Sequence, residues 1–167
     1  MAAYLELLDH WSERVNLTGA RTPAERVALL VQDVLPAANL LQGTTLLDIG
    51  SGNGSPGLVL ALLRPQLSVT LLEPRLKRWA FLREAARVVG RPEIEVLRQR
   101  HDQWQGPPVE NLTLRGLGLS RESLLPLLTA DGQALVFGTV RPAQGVQMDV
   151  VGEGRSRIHR LRRARST

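Results

Sequence analysis

Apolar residues recur at helical spacing in the first part of the chain. Residues 2–13 place one such stripe on a single helical face, formed by Tyr4, Leu5, Leu7, Leu8 and Trp11. A second helix is predicted to begin after Thr22, because Thr22 can cap it, Pro23 suits its first turn and Glu25 stands three residues after the cap. Gly43 ends this helical part of the chain.

From residue 44 onward, short β-rich runs alternate with helical ones. Strands are predicted at 44–49, 68–72, 94–97, 112–115 and 133–137, and helices at 56–63, 76–89 and 121–129. Strands that alternate with helices in this way form a parallel sheet that is covered on both faces.

The alternation stops after Gly138. Two further runs, 146–151 and 157–161, flank Gly152-Glu153-Gly154, which is a hairpin signal. We therefore predict a Rossmann-like α/β fold with a mostly parallel sheet and an antiparallel C-terminal hairpin. Residues 1–43 are expected to form a short helical segment packed on the core, and residues 44–167 the core itself, in a single domain.

Composition excludes several classes of protein. Without cysteine in 167 residues, the chain has no disulfide framework, zinc ribbon or thiol nucleophile. Its histidines, His10, His101 and His159, lack the spacing of a metal site. No apolar stretch reaches the roughly 18 residues of a membrane span, and the first residues lack the pattern of a signal peptide. We therefore expect a monomeric cytoplasmic protein with no metal and no membrane partner.

A glycine-rich loop is the sharpest local feature. Residues 47–57 read Leu-Asp-Ile-Gly-Ser-Gly-Asn-Gly-Ser-Pro-Gly, between a predicted strand and a predicted helix. Glycine lets the backbone turn tightly and lie against a ligand, and the helix that follows offers free N–H groups. Glu73 ends the next strand, where a carboxylate can accept both hydroxyls of a ribose.

Two cofactors fit this loop. Residues 52–57 match the dinucleotide pattern G-x-G-x-x-G, and Glu73 follows about 20 residues later. The same stretch also reads as an acid followed by G-x-G-x-G, as in S-adenosylmethionine methyltransferases. Asp48, placed to engage a methionine ammonium, and the C-terminal hairpin favour S-adenosylmethionine, and little chain remains for a dinucleotide enzyme's substrate domain. A glycine-rich turn without any ligand is the third interpretation.

Several further stretches of the chain form a recognisable set with the loop. They are 16–18, 21–25, 47–57, 69–73, Lys77-Arg78, 81–83, 100–102 and 114–116. Together they resemble one known family, the bacterial small-subunit ribosomal RNA guanine-N7 methyltransferases, also called glucose-inhibited division protein B. The loop with its Pro-Gly end, the T-L-L-[DE] strand at 69–73 and the K-R…F-L-R helix are the specific similarities, and those at 100–102 and 114–116 are looser. The resemblance implies a Rossmann-like S-adenosylmethionine methyltransferase fold and methyl transfer to guanine N7 of small-subunit ribosomal RNA.

The resemblance also implies roles for single residues. The loop would contact S-adenosylmethionine, Glu73 would hold its ribose, His101 and Asp102 would border the adenine, and Arg115 would close the pocket. The loop residues expected to bind the cofactor are Asp48, Gly50, Ser51, Gly52, Gly54 and Ser55. Guanine N7 already has a lone pair in the ring plane, so no general base is needed, and no catalytic acid or base is assigned.

The chain departs from the family where RNA would bind. An Arg-His pair is replaced by Leu29-Leu30, a Lys-Gly pair by Phe137-Gly138, and only residues 141–145 join the fifth strand to the hairpin. Two alternatives therefore stay open. The chain could be a non-catalytic relative that binds S-adenosylmethionine or RNA, or a methyltransferase with a small-molecule substrate.

The basic residues are concentrated at the C-terminal end. The chain carries 21 Lys and Arg against 16 Asp and Glu, and six of the arginines lie within residues 155–167. Without that segment the net charge would be −1. The arginines expected to contact ribosomal RNA or the small ribosomal subunit through its phosphates are Arg155, Arg157, Arg160, Arg162 and Arg163. A solvated chain end is the alternative interpretation of this cluster.

Overall fold

Six α-helices and seven strands are present in the computed structural model, which describes residues 1–138 and 146–164, with the side chains of Arg121 and Arg155 excepted. The helices in the described ranges are α1 Ala2–Ser12, α2 Pro23–Leu30, α3 Leu35–Ala38, α4 Gly57–Leu63, α5 Leu76–Val88 and α6 Arg121–Leu124. No helix in these ranges combines the length and the apolar character needed to cross a bilayer.

The strands form one sheet with the order β3-β2-β1-β4-β5-β7-β6. Their bounds are β1 Thr45–Ile49, β2 Ser68–Leu72, β3 Glu95–Leu97, β4 Val109–Arg115, β5 Leu128–Phe137, β6 Val146–Val151 and β7 Ile158–Arg163. The first five strands are parallel, whereas β7 pairs antiparallel with both β5 and β6. The predicted α/β fold with a reversed C-terminal hairpin is therefore confirmed. The expected connection 141–145 lies outside the described residues.

Alternating strand residues feed two apolar clusters on opposite faces of the sheet. Leu46 of β1 and Leu135 of β5 belong to the cluster that also contains α1, α4 and α5 side chains. Leu47 of β1 and Leu112 of β4 belong to the cluster on the other face, with Leu124 of α6. Each face of the sheet is thus buried, as a parallel sheet requires.

The N-terminal helices pack on the first of these clusters. Tyr4 and Leu8 of α1 are fully buried there, and Trp11 meets Phe81 of α5 edge to face, with 5.8 Å between ring centroids. Helix α2 begins as its sequence predicts, with Thr22 and Glu25 forming a reciprocal capping box. This second helix ends at Leu30, before the apolar run does.

Strand β5 is longer than the sequence pattern predicts. It begins at Leu128, so the predicted helix 121–129 is cut to the four residues of α6 and a 3-10 turn at Leu125–Leu127. Val109 pairs with Leu128 and Asn111 with Gln133, so residues 129–132 of β5 lie opposite Glu110 alone in β4. The turn that the sequence indicated at Asp131-Gly132 lies within this bulged part of one strand.

Strand β7 is an interior strand. It lies between β5 and β6, and its Ile158 is fully buried against Phe137 of β5. The segment 158–163 is therefore part of the sheet, and a solvated chain end does not describe it. Because this strand is interior, removing residues 155–167 would disrupt the sheet as well as remove its arginines.

Candidate functional site

The glycine-rich loop leaves β1 at the carboxyl edge of the sheet. Gly50, Gly52 and Gly54 have φ values of 67°, 53° and 91°, which side chains with a Cβ rarely adopt. The Ser51 amide donates to the Leu72 carbonyl at 3.0 Å, and the Gly54 amide donates to the Ser51 carbonyl. The loop is thereby tied to the end of β2, which brings Glu73 against it.

Glu73 is 3% exposed and is held from both sides. Its Oε2 accepts the Gly52 amide at 3.0 Å, and its Oε1 accepts the Arg75 amide at 2.8 Å. The carboxylate therefore has a fixed position at the end of β2, next to the glycine-rich loop. The sequence placed this side chain at the same strand end.

Asp48 is fully buried beneath the loop. Its Oδ1 accepts the Thr113 hydroxyl of β4 at 2.6 Å, while its Oδ2 has no hydrogen-bond partner among the described residues. Burial raises the pKa of Asp48 to about 6, although the Thr113 hydrogen bond lowers it. A Cβ on Gly57 would lie 2.5–2.7 Å from the Asp48 side chain, so only glycine lets α4 begin over this carboxylate.

The N-terminal segment holds the other side of the loop. The Tyr4 hydroxyl donates to the Asn53 carbonyl at 2.8 Å, and the Asn53 amide group donates to the Leu17 carbonyl at 3.1 Å. The Ser55 hydroxyl donates to the Leu30 carbonyl at 2.8 Å. Helices α1 and α2 thus help to set the loop conformation.

Arg115 joins the end of β4 to the N-terminal segment. Its guanidinium donates to the Leu29 carbonyl at 2.7 Å and lies over the Phe137 ring, 4.9 Å from the centroid. Burial lowers the pKa of Arg115, while the carboxylates of Asp33 and Asp48 raise it. Phe137, which stands where the family resemblance leads one to expect a lysine, therefore stacks against the Arg115 guanidinium.

A cavity of about 410 Å³ opens between the loop and the ends of β2 and β4. Of the predicted cofactor residues, Gly50, Glu73, His101 and Arg115 line it. Asp48, Ser51, Gly52, Gly54 and Ser55 instead form the floor and hydrogen-bond framework of the loop, without lining the cavity. Other lining residues are Arg75, Arg78, Gln99, Arg100, Leu117 and Leu119.

His101 and Asp102 follow β3 on a short 3-10 turn. His101 is half-buried and lines the cavity, whereas Asp102 is exposed and accepts the Arg100 guanidinium at 3.3 Å. The structure brings only His101 of this pair to the cavity wall.

The predicted RNA-binding arginines have different surroundings. Arg160 and Arg162 are half-buried and share Asp149 of β6, at 3.0 and 2.5 Å. These two arginines lower the pKa of Asp149. Arg163 donates to the Leu125 carbonyl at 2.6 Å, and Arg157 is exposed. The side chain of Arg155 lies outside the described residues.

The role of Tyr4 in holding the glycine-rich loop could not be predicted from the sequence. Its apolar neighbours indicate only that it lies on the buried face of a helix. No nearby residue indicates that its hydroxyl hydrogen-bonds to Asn53, 49 positions away. The Asn16-Leu17-Thr18 stretch did carry a signal, because its resemblance to the family pointed to it, and the carbonyls of Asn16 and Leu17 accept from Arg78 and Asn53. Within the ranges that the structure describes, no three His, Asp or Glu side chains gather as a metal site.

Comparison with solved structures supports the fold. TrmN from Thermus thermophilus matches with a TM-score of 0.61 and 25% identity, over 94% of this chain and 52% of that one. A SAM dependent methyltransferase from Aquifex aeolicus matches with a TM-score of 0.64 and 15% identity, over 92% of this chain and 96% of that one. At 15% identity, the similarity to the Aquifex aeolicus structure shows only that the two proteins share a fold.

Comparison with known sequences identifies the family. The ribosomal RNA small subunit methyltransferase G of Yersinia pseudotuberculosis (strain YPIII) is 33% identical over 125 residues, 74% of this chain and 61% of that protein. The Dichelobacter nodosus protein of the same name is 41% identical over 103 residues, 61% of this chain and 49% of that protein. This chain thus spans about half to three-fifths of the length of these relatives. Because the family model described as rRNA small subunit methyltransferase G matches residues 1–146, this chain belongs to that family.

Proposed function

We propose that the chain binds S-adenosylmethionine in the 410 Å³ cavity and transfers its methyl group to guanine N7 of small-subunit ribosomal RNA. The observation that carries the proposal is the buried Glu73 carboxylate, fixed beside Gly50 at the carboxyl edge of β1 and β2. Ligands of open α/β sheets bind at this edge. The choice of small-subunit ribosomal RNA as the substrate is supported by the chain's membership of the rRNA small subunit methyltransferase G family.

The residues present fit such a cofactor. Glu73 accepts only two backbone amides from described residues, so lone pairs of its two oxygens remain for ribose hydroxyls. Gly50 has no Cβ, and one there would lie 2.5 Å from Leu117, so glycine keeps this wall of the cavity open. Asp48 lies beneath the loop without lining the cavity, so it would act on a methionine ammonium through its buried charge or a bridging water at Oδ2.

The remaining loop residues serve the cofactor through the backbone. Ser51, Gly52, Gly54 and Ser55 hold the loop in shape, and His101 bounds the adenine side. Asp102 would act there only through Arg100, which lines the cavity and pairs with it. S-adenosylmethionine supplies an electrophilic methyl group on its sulfonium. The protein's own contribution is to hold both reactants in line, since guanine N7 needs no proton removed. Arg115 lines the cavity at the end of β4, where its guanidinium would offer a positive charge to the RNA.

Phosphate contacts are proposed for the C-terminal strand as well. Arg157 is exposed and available to an RNA backbone, and Arg155 precedes it in the chain. Arg160, Arg162 and Arg163 contribute to the positive potential while they pair with Asp149 and the Leu125 carbonyl. Electrostatic attraction of this kind weakens as salt is added.

Titration of Glu73→Gln with S-adenosylmethionine or its demethylated product tests the cofactor site. We expect a rise in Kd of about tenfold or more, because a charged acceptor of the ribose hydroxyls is lost. Glu110→Gln is the matched control, since Glu110 accepts the amides of Thr44 and Thr45 at the opposite edge of the sheet. Equal affinity of both variants and the parent would place the cofactor elsewhere.

Transfer of a labelled methyl group tests the activity. The parent is expected to label small-subunit ribosomal RNA, or intact small subunits, at a guanine. Binding of S-adenosylmethionine without any transfer to RNA would favour the non-catalytic alternative, to which the replacement of the Arg-His pair by Leu29-Leu30 points. Transfer to a small molecule alone would favour the alternative of a methyltransferase with a small-molecule substrate.

A further inference from the structure

A second cavity lies between α1 and α5, apart from the cofactor cavity. We call it the α1–α5 groove. It measures about 440 Å³ and is lined by His10, Trp11, Arg14, Val15, Lys77 and Glu84. His10, Arg14 and Lys77 are exposed, and Trp11 is half-buried. The groove is therefore open to solvent and combines cationic side chains with an aromatic ring.

The one acidic side chain of the groove lining is already engaged. Glu84 accepts the Trp11 indole N–H at 3.0 Å, which also fixes the ring beside Phe81. Among the residues that the structure describes, neither Arg14 nor Lys77 forms an ion pair or a side-chain hydrogen bond. Their charges face solvent without a protein partner in that set.

The groove adjoins the cofactor cavity through the start of α5. Lys77 lines the groove, whereas Arg75 and Arg78 line the cofactor cavity. Arg78 donates at 2.9 Å to the carbonyl of Asn16, the residue after Val15 of the groove. The two linings thus come together at two points, the adjacent Lys77 and Arg78 of α5 and the hydrogen bond from Arg78 to Asn16.

The two linings concentrate positive charge. Together they hold six Lys and Arg side chains and two His against two acids, Glu73 and Glu84, both of which accept N–H donors. Residues 1–154 as a whole carry a net charge of −1. The linings of the two cavities are therefore rich in cationic side chains, although residues 1–154 contain no excess of Lys and Arg over Asp and Glu.

We propose that the α1–α5 groove binds the RNA strand that leads to or from the methylated nucleotide, with Arg14 and Lys77 on phosphates and Trp11 against a base or ribose. This inference rests on the proposed function and deepens it, because it assigns a part of the substrate outside the cofactor cavity. RNA is favoured over an acidic polypeptide because cations interleaved with an aromatic ring suit a strand of phosphates and bases. The groove also lies next to the proposed cofactor cavity, since Lys77 of its lining precedes Arg78 of the other.

Salt-dependent RNA binding of the full chain tests the inference. The test variant is Arg14→Gln with Lys77→Gln, and the probe is purified small-subunit ribosomal RNA titrated at several salt concentrations. The matched control is Arg21→Gln with Arg87→Gln. This variant also loses two positive charges, but both arginines are exposed and neither lines the groove or the cofactor cavity. The Kd for S-adenosylmethionine and the urea unfolding midpoint check that both variants are folded.

Polyglutamate is titrated in parallel as an acidic polypeptide, and four outcomes are distinguished. The inference expects the test variant to bind RNA about tenfold or more weakly at ~0.1 M salt, with a log–log salt slope shallower by about 2, while the control changes much less. Equal RNA binding by the test variant and the control overturns the groove but leaves the proposed function standing. A parent that binds S-adenosylmethionine but neither ribosomal RNA nor intact small subunits overturns both. Weaker binding of polyglutamate with unchanged RNA binding also overturns the groove as an RNA site.

Discussion

The Tyr4 hydroxyl of α1 donates a 2.8 Å hydrogen bond to the backbone carbonyl of Asn53 in the glycine-rich loop. The first helix thereby reaches the turn at the carboxyl edge of the sheet, although the two residues are 49 positions apart. Tyr4 is fully buried, and burial raises the pKa of its hydroxyl, so it stays protonated as a donor. The N-terminal segment is part of the candidate site for this reason.

Tyr4→Phe is expected to loosen the loop without unfolding the protein. The lost hydrogen bond should cost about 1–2 kcal/mol of unfolding free energy, because the Asn53 carbonyl loses its partner. We expect the Kd for S-adenosylmethionine to rise several-fold, since about 1 kcal/mol of loop ordering is then supplied by the cofactor. Urea unfolding and calorimetric titration measure the two effects.

Trp11→Phe is the control for Tyr4→Phe. It removes another hydrogen bond of α1, to Glu84, which lies away from the loop. This variant should lose stability but keep the parent's affinity for S-adenosylmethionine. If Trp11→Phe weakens cofactor binding as much as Tyr4→Phe does, the effect of Tyr4 is one of general stability.

Asp48 should make the protein less stable as pH rises from about 4 to about 6. Burial raises its pKa from 3.8 to about 6, so the folded state binds a proton more readily than the unfolded state does. The stabilising effect of that proton is present below pH 4 and is lost as pH rises through 6. The size of the effect is on the order of 3 kcal/mol.

Asp48→Asn isolates this dependence. Asparagine keeps an acceptor for the Thr113 hydroxyl but does not ionise. The difference in unfolding free energy between variant and parent should therefore shift in favour of the variant between pH 4 and pH 7. Urea unfolding at three pH values measures it, and parallel profiles of the two proteins would show that Asp48 does not titrate in this range.

Gly57→Ala should destabilise the protein although alanine favours helices. The new Cβ would lie 2.5–2.7 Å from the Asp48 side chain, which is fully buried and cannot move aside. We expect a loss of about 1–3 kcal/mol, as for other overpacked core positions. Gly19→Ala is the control, because nothing lies within 4 Å of its Cβ, and it should be close to neutral.

The double variant Gly57→Ala with Asp48→Ala tests the cause. Removing the carboxylate makes room for the methyl group, so the two changes should be less than additive in urea unfolding. Additive losses would mean that Gly57 is required for a reason other than Asp48.

Ile158→Ala tests the place of β7 in the sheet. Ile158 is fully buried beside Phe137, so truncation should cost about 2–5 kcal/mol. Val150→Ala on β6 is the control, because Val150 is 51% exposed and its loss should cost no more than about 0.5 kcal/mol. Equal small effects in thermal or urea unfolding would show that the hairpin contributes little to the core.

The order of elements could be predicted from the sequence because hydrophobic period and turn residues are local signals. The bounds of β2 agree with the prediction, and those of α5 agree to within one residue. The start of β5 could not be predicted, because Leu128 joins the strand by pairing with Val109 across a bulge. Helix propensity at 121–129 gave way there to a ladder formed with a distant strand.

The glycine-rich loop, the acid at the end of β2 and the reversed hairpin could all be predicted from neighbouring residues, because backbone freedom and strand ends are local properties. The use of those parts depends on the tertiary structure. It buried Asp48 beneath the loop, joined Tyr4 to Asn53, and gave Arg160 and Arg162 a shared partner in Asp149. It also brought Arg14 of the N-terminal segment and Lys77 of α5 to one groove. Such contacts depend on packing between distant segments, which no local pattern of residues specifies.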